Sequence, residues 1–131
     1  MMKVKHSFLV FAAAFLMVMP AFAKTGVVYQ RQDSLRIVSL LQQAKAMKKK
    51  PANWMMWFGK QFVGIPYVGG TLDRTREELL VVNTRELDCT TYVEIVTALT
   101  MCAKHQETSF AAFCNHLKHV RYIGGEVAYV K

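Results

Sequence analysis

The stretch TRELDCTTYVEIV, residues 84–96, places a cysteine immediately before a long apolar run. Asp88 has the side chain of a good N-cap, because its carboxylate can accept a hydrogen bond from a backbone N–H of the first helical turn. The pattern therefore predicts a helix that begins at Cys89. Free N–H groups and the positive helix end favour a thiolate there, which lowers a cysteine pKa below its free value of about 8.5. Asp88 and Cys89 also have a purely structural interpretation, in which Asp88 caps the helix and Cys89 is a small buried residue.

Apolar residues at helical spacing predict three further helices. The first follows Asp33 and Ser34, which can cap it, and it ends by Pro51. The second covers about residues 53–63, and the last covers about residues 108–119. The helix that begins with the cysteine has few polar positions, so we expect it to be mostly buried.

Three other segments predict loops and strands. GIPYVGGTLD, residues 64–73, is rich in glycine and is predicted to be a loop. ELLVVN, residues 78–83, fits a strand or a tight turn, and VRYIGGEVAYVK, residues 120–131, fits two strand-like pieces around a Gly-Gly turn. The predicted order is helix, helix, turn, strand, helix, helix, strand, which belongs to the α+β class.

Residues 1–23 have the pattern of a secretory signal peptide. Two lysines precede an apolar run from Phe8 to Met19, and Ala21-Phe22-Ala23 has the small-x-small form of a cleavage site. The alternative is a membrane anchor, but the run is shorter than the roughly 20 residues that span a bilayer. We therefore expect an exported protein, periplasmic or extracellular, without a stable membrane anchor after cleavage.

The charge narrows the class of partner. Cleavage takes two lysines from a formal net charge of +8, so the remaining chain is still basic. A basic exported protein can be drawn to anionic polymers, although a solvated basic surface explains the charge equally well. No interleaving of aromatic and basic residues indicates nucleic-acid binding.

The cysteines form no framework. Cys89, Cys102 and Cys114 include no C-x-x-C pair, so the sequence predicts neither a metal site nor a disulfide scaffold, and no cofactor is expected. In an oxidising compartment Cys102 and Cys114 can pair. Both lie on apolar helical faces, however, where a buried cysteine acting as a small hydrophobe is the commoner case.

A catalytic cysteine needs a base, usually a histidine distant in sequence. His105 would lie about 24 Å from Cys89 on one continuous helix, which is too far to act. His116 and His119 are expected near the C-terminal end of the next helix, where a histidine more often contacts terminal carbonyls. The residues alone therefore indicate no convincing base.

Two segments together, PYVGGTL at 66–72 and VNTRELDCTTYVE at 82–94, resemble the N-acetylmuramoyl-L-alanine amidase-like family. That family is a branch of the NlpC-type papain-fold cysteine hydrolases of the bacterial cell wall. The resemblance extends from about residue 55 to 122. It implies an α+β, papain-like NlpC-type fold, with the helical half and the start of the sheet present here, and peptidoglycan or a muropeptide as partner.

The resemblance also implies the catalytic roles. Cys89 would be the nucleophile that attacks an amide bond, and Tyr67 would line the site with its hydroxyl near the sulfur. From the residues alone, Tyr67 is as readily explained as a packed loop aromatic. The implied substrate-binding residues are Gly69, Gly70, Thr71, Asp88, Thr90 and Thr91.

Members of that family are substantially longer, and their catalytic histidine lies on the sheet that follows the helical half. Beside the signal peptide that the residue pattern predicts at 1–23, the resemblance predicts that 24–131 form the N-terminal part of an amidase-like domain, truncated before its general base. Two hypotheses follow. One is a cysteine amidase whose histidine lies beyond residue 131. The other is an inactive fragment or a non-catalytic remnant that binds muropeptide.

Export gives the first testable prediction. Because the apolar run is short and is followed by Ala21-Phe22-Ala23, the exported product should begin at Lys24. Intact-mass measurement of the periplasmic protein checks this. A periplasmic product that still begins at Met1 would contradict cleavage.

Overall fold

The computed structural model describes residues 26–128. The predicted signal peptide and the end of the predicted C-terminal strand lie outside these residues. The described chain is mostly helical with a two-stranded sheet, which is consistent with the expected α+β class. Its elements are β1 Val27–Val28, α1 Arg31–Ala46, α2 Trp54–Lys60, β2 Leu80–Val81, α3 Cys89–Lys104, α4 Phe110–Arg121 and a 3₁₀ turn at Ile123–Gly125.

Helix α3 is the centre of the fold, because it packs against α1, α2 and α4. Its inward face is closed to solvent through Ile95, Ala98, Leu99 and Cys102. The outward face is different, since Val93 is 53% exposed. The expectation of a mostly buried helix is therefore right for one face and wrong for the other. None of the helices between residues 26 and 128 is long and apolar enough to cross a membrane.

Helix α1 begins earlier than the sequence indicates. Gln30 is its N-cap, and the backbone N–H of Gln30 donates to Asp33 Oδ2 at 2.8 Å. Asp33 therefore lies inside the first turn and is not the cap, which corrects the prediction. An acidic residue suits both positions, because each lies near the free N–H groups of the helix start. The helix ends at Ala46, before Pro51.

The Asp33 carboxylate is fully buried and joins α1 to the segment that leads to α3. Its Oδ1 accepts from the Thr84 backbone N–H at 2.9 Å and from the Thr84 hydroxyl at 2.8 Å. Arg85 Nε lies 3.3 Å from the same oxygen. Burial by itself raises the pKa of Asp33, but the hydrogen bonds from Thr84, Gln30 and Arg85 together hold that pKa below its ordinary value.

The sheet consists of one short parallel pair. Val27 is in register with Leu80, and Val28 is in register with Val81. β1 was not expected from the sequence, because two residues are too few to show an alternating pattern. The strand alternative for ELLVVN is confirmed for Leu80–Val81.

Helices α2 and α4 are confirmed with shifted bounds. Asn53 caps α2 through a hydrogen bond from the Met56 N–H, and Ser109 caps α4 through one from the Ala112 N–H. The strand prediction for the C-terminal segment is wrong within the described residues. Residues 120–121 end α4, and Gly124 and Gly125 have φ angles of 68° and 71°, which turn the chain tightly.

Replacing Asp33 tests the junction between α1 and the segment before α3. Asp33→Ala leaves several buried donors unpaired, so we expect a loss of about 3 kcal/mol or more in the free energy of unfolding. Asp73→Ala, in an exposed loop, is the control and should change stability by less than about 0.5 kcal/mol. Urea unfolding checks both variants. Equal stability of the two would contradict the assigned role.

The same junction predicts a pH dependence. The folded-state pKa of Asp33 is lowered from 3.8, so its contribution is complete above the unfolded-state pKa and disappears as pH falls through the folded-state pKa. The stability difference between the unmodified chain and Asp33→Asn should therefore be constant near neutral pH and shrink below about pH 4. Unfolding curves measured across this range test the sign.

Candidate active site

Cys89 is the first residue of α3, and Asp88 is its N-cap. Asp88 Oδ1 accepts from the Thr91 backbone N–H at 2.8 Å, and the Asp88 N–H donates to the Thr91 hydroxyl at 3.0 Å. The backbone hydrogen bond from Thr91, followed by its side-chain bond, holds the pKa of Asp88 below its ordinary value. The predicted helix start is therefore confirmed. The reciprocal bonds fix the backbone on which the exposed thiol of Cys89 stands.

The thiol borders an open, mainly apolar depression of about 230 Å³. A backbone link forms one side of it: Val68 N–H donates to the Leu87 carbonyl at 3.0 Å, and Leu87 N–H donates to the Pro66 carbonyl at 3.1 Å. The glycine-rich loop is thus held beside the residues that lead to α3. The lining residues are Phe62, Ile65, Tyr67, Leu87, Asp88, Cys89 and Tyr92.

Tyr67 and Cys89 line the same depression. Tyr67 is 74% exposed, so it is not a packed loop aromatic within the described chain. Thr90 is also exposed, with its hydroxyl oxygen 3.9 Å from Cys89 Sγ. Tyr67 and Cys89 are therefore open to one bound molecule, and Thr90 lies beside the sulfur without lining the depression.

Of the other predicted binding residues, Asp88 lines the same depression, and the rest lie elsewhere. Thr91 is buried, and its hydroxyl faces Asp88 rather than the depression. Thr71 is buried beside a second depression that is lined in part by Arg74 and Arg85. Gly69 and Gly70 are exposed with open space where a side chain would stand. Binding by these residues stays a prediction.

Four lining residues were not singled out from the sequence as site residues: Phe62, Ile65, Leu87 and Tyr92. Tyr92 had a usable signal, because it follows Cys89 by three positions and such residues share a helix face. Its hydroxyl lies against Gly59, where an added Cβ would stand only 2.6 Å from the oxygen. Because Gly59 has no side chain, the Tyr92 ring can pack against α2 and form one side of the depression.

None of the histidines between residues 26 and 128 lines the depression. His105 is the C-cap of α3, at the end opposite Cys89, which confirms that it cannot reach the thiol. His116 pairs with Glu107, and His119 Nδ1 bonds the Asn115 carbonyl at 2.8 Å. The described residues therefore place no imidazole beside the sulfur.

The other two cysteines differ sharply from Cys89. Both are buried free thiols, so the structure contains no bond between Cys102 and Cys114. Burial, and to a lesser extent nearby Glu107 and Cys114, raises the pKa of Cys102 to about 12. Burial likewise raises the pKa of Cys114 to about 11. Neither thiol is suited to act as a nucleophile near neutral pH.

Comparison with known proteins is consistent with this geometry. A family model described as AmiA-like, N-acetylmuramoyl-L-alanine amidase-like, matches residues 57–131. That match covers more than half of the sequence and includes both Tyr67 and Cys89. The chain belongs to the N-acetylmuramoyl-L-alanine amidase-like family.

A crystal structure of an N-acetylmuramoyl-L-alanine amidase from Bacteroides uniformis is similar to this chain, with a TM-score of 0.53 and 35% sequence identity. The similar region covers 65% of this chain and 32% of that chain. The matched region thus spans about a third of the length of that amidase. No curated protein matches the chain.

Thiol reactivity tests the placement of Cys89. At near-neutral pH, Cys89 should be alkylated much faster than Cys102 and Cys114, because it is exposed at a helix start while they are buried. A pKa of about 11 or 12 leaves a thiolate population more than about a hundredfold below that of a free cysteine. Peptide mass spectrometry after brief iodoacetamide treatment measures the three rates.

The cap supplies a second variant for the same measurement. Asp88→Ala should slow alkylation of Cys89, because loss of an N-cap costs about 1 kcal/mol and loosens the first turn. Asp73→Ala is the matched control and should leave the rate unchanged. Equal labelling of all three cysteines in folded protein would reject the placement.

Proposed function

We propose that the chain supplies the nucleophile of a cysteine hydrolase that cleaves an amide bond in peptidoglycan or a muropeptide. The observation that carries this proposal is the exposed thiol of Cys89 on the first residue of α3, in one depression with Tyr67. Membership of the amidase-like family supports the bond type and the substrate class.

The chemistry requires two stages at this site, acylation of the sulfur and hydrolysis of the resulting thioester. The Cys89 thiolate attacks the amide carbonyl carbon, the C–N bond breaks, and the amine leaves with a proton from a general acid. Water then hydrolyses the thioester, releases the carboxylic acid and restores the thiol. The backbone N–H groups of the first turn of α3 and the Tyr67 hydroxyl are the donors suited to the developing oxyanion.

The proposed roles of the other residues follow from their contacts. Asp88 is a positioning residue, since it bonds Thr91 and holds the first turn rather than the substrate. Thr90 would border the bound peptide beside the sulfur. The open backbone at Gly69 and Gly70 would let a glycan-peptide chain approach the loop closely.

We propose that the general base comes from outside residues 26–128. The described histidines all have other contacts, and none lines the depression. A papain-like NlpC-type architecture accounts for this arrangement, with a cysteine on a central helix and a histidine on an adjoining sheet. Residues 24–131 would then form the N-terminal part of the domain, and residues 1–23 would direct export to the periplasm.

A second candidate function is binding of muropeptide without turnover. The specific observation in its favour is the same lack of an imidazole beside Cys89 among the described residues. The apolar walls formed by Phe62, Ile65 and Tyr92 can still hold a peptide without any base. The two candidates differ in whether a covalent intermediate forms on the sulfur.

Reconstitution distinguishes the two candidates. The full chain should cleave soluble muropeptides only when a polypeptide corresponding to the rest of the Bacteroides uniformis amidase is co-expressed with it. Cys89→Ala should lower turnover of this complex by about 10⁴-fold or more, because the members of a catalytic unit act together. Cys114→Ser, away from the depression, is the control. Released amine, measured by chromatography and mass spectrometry, reports cleavage.

The outcomes assign the function. Muropeptide binding by the complex, with no cleavage and no thioester trapped at Cys89, would favour the binding module. Cleavage that is unaffected by Cys89→Ala would reject the proposed nucleophile. Cysteine-dependent cleavage by the chain alone would reject the external base and return attention to His116 and His119.

A further inference from the structure

The connection between α3 and α4 brings together three side chains that commonly bind metal ions. Cys102 lies in the last turn of α3, Glu107 lies in the connection, and His116 lies on α4. The Cys102 sulfur, a Glu107 carboxylate oxygen and a His116 imidazole nitrogen all lie within 4.8 Å of one another. Cys89 is at the other end of α3, about 20 Å away along the helix axis at about 1.5 Å per residue. This cluster is therefore separate from the candidate active site.

The backbone holds the cluster in place. Gln106 has a φ of 56°, in the left-handed region, and reverses the chain after α3. The Glu107 N–H then donates to the Cys102 carbonyl at 3.0 Å, which fixes the backbone of Glu107 beside the last turn of α3. His116 Nε2 approaches from α4 to 3.3 Å from Glu107 Oε2. Two helices and their connection each contribute one ligand atom.

We propose that Cys102, Glu107 and His116 bind a zinc-like divalent metal ion, with water as the fourth ligand, and that this ion joins α3 to α4. A thiolate and an imidazole select borderline or soft metals such as zinc over magnesium or calcium. In a tetrahedral zinc site, ligand atoms about 2.0–2.3 Å from the metal lie roughly 3.3–3.6 Å apart. The Glu107 to His116 separation already has that value.

Closing the site needs only a small movement. No two of the three ligand atoms lie more than 4.8 Å apart, so each separation needs to shorten by at most about 1 Å to reach tetrahedral spacing. The Glu107 side chain is 37% exposed and has the rotational freedom to make that change. Cys102 is completely buried, so the adjustment falls to the Glu107 and His116 side chains.

Nearby charges both oppose and favour a cation. Lys45, Lys50 and Lys104 line the depression that Glu107 also borders, and their ammonium groups repel a metal ion. Lys50 Nζ is already directed to the Ala44 carbonyl at 2.9 Å. A thiolate and a carboxylate together carry two negative charges, and the C-terminal end of α3 adds a favourable dipole for a cation.

Binding is balanced by the release of one proton. The Cys102 S–H bond breaks, its proton passes to water, and the sulfur forms a bond to the metal without any change of oxidation state. His116 Nε2 exchanges its contact with Glu107 for one with the ion. Because an unfolded chain cannot hold the three groups together, the ion would stabilise the folded state.

Metal titration of the full chain tests this inference. The background variant is Cys89→Ser, which removes the exposed thiol as a competing ligand. Zinc, titrated against a chromophoric chelator under a non-thiol reductant, should bind with one ion per chain. Cobalt(II), used as a spectroscopic substitute, should show a thiolate-to-metal charge-transfer band. Zinc should also raise the melting temperature.

Two further variants locate the site. Cys102→Ser should remove the cobalt band and weaken zinc binding at least about tenfold. Even replacing a residue that only contacts a metal ligand lowers metal affinity by about that factor. Cys114→Ser is the matched control, a buried cysteine outside the cluster, and should keep both the band and the affinity. If Cys102→Ser does not fold by circular dichroism, Glu107→Gln decides: it should bind zinc at least about tenfold more weakly and keep the band.

Three results would overturn the inference: no zinc binding by the folded Cys89→Ser chain, a cobalt spectrum without a thiolate band, or equal affinity in the Glu107→Gln and Cys114→Ser variants. These measurements do not depend on the proposed amidase activity. Absence of metal binding would therefore not contradict the proposed role of Cys89. Absence of amidase activity would not contradict the proposed metal site.

Discussion

The buried carboxylate of Asp33 is the interaction on which the position of the candidate site depends. It joins the first turn of α1 to Thr84 and Arg85, four and three residues before the cap of α3. The same short segment is fixed a second time by Asn83, whose Oδ1 accepts from the backbone N–H groups of Arg85 and Glu86. A charge with no solvent exposure is stable only when its hydrogen bonds are complete, so this segment has little freedom to move.

A second, nearly buried cation holds the other side of the α3 start. Arg121, at the end of α4, donates to Glu94 at 2.8 Å and to the Val81 carbonyl at 2.6 Å. It thereby connects α4, α3 and β2, and its charge also helps lower the pKa of Asp88. With the first half of α3 held from both sides, the backbone that carries the Cys89 thiol has little freedom to move. Such preorganisation is what a nucleophile needs, because small displacements of reacting groups cost large factors in rate.

The sequence predicted well what depends on neighbours along the chain and poorly what depends on distant partners. The start of α3 was predictable because Asp88, Cys89 and Thr91 form a local capping pattern. β1 has too few residues to show a pattern of its own and is defined only by its pairing with β2, some fifty residues away. The glycines at 124 and 125, predicted to turn between strands, instead lie in a 3₁₀ turn. The site was predictable to the same extent. Cys89 and Tyr67 line one depression, and the Thr90 hydroxyl lies 3.9 Å from the sulfur. Thr71 is buried beside a different depression, while the Thr91 hydroxyl is used in the cap of α3.

Helix α3 places two cysteines in opposite physical environments. Cys89 stands exposed at the positive end of the helix, where the dipole and the free N–H groups favour an anion. Cys102 stands buried near the negative end, where burial and the Glu107 charge raise its pKa to about 12. A thiolate at Cys102 therefore needs a compensating cation. The proposed metal ion would supply that charge at the point where α3, its connection and α4 already converge. Under these proposals Cys89 and Cys102 have different functions as well as different reactivities.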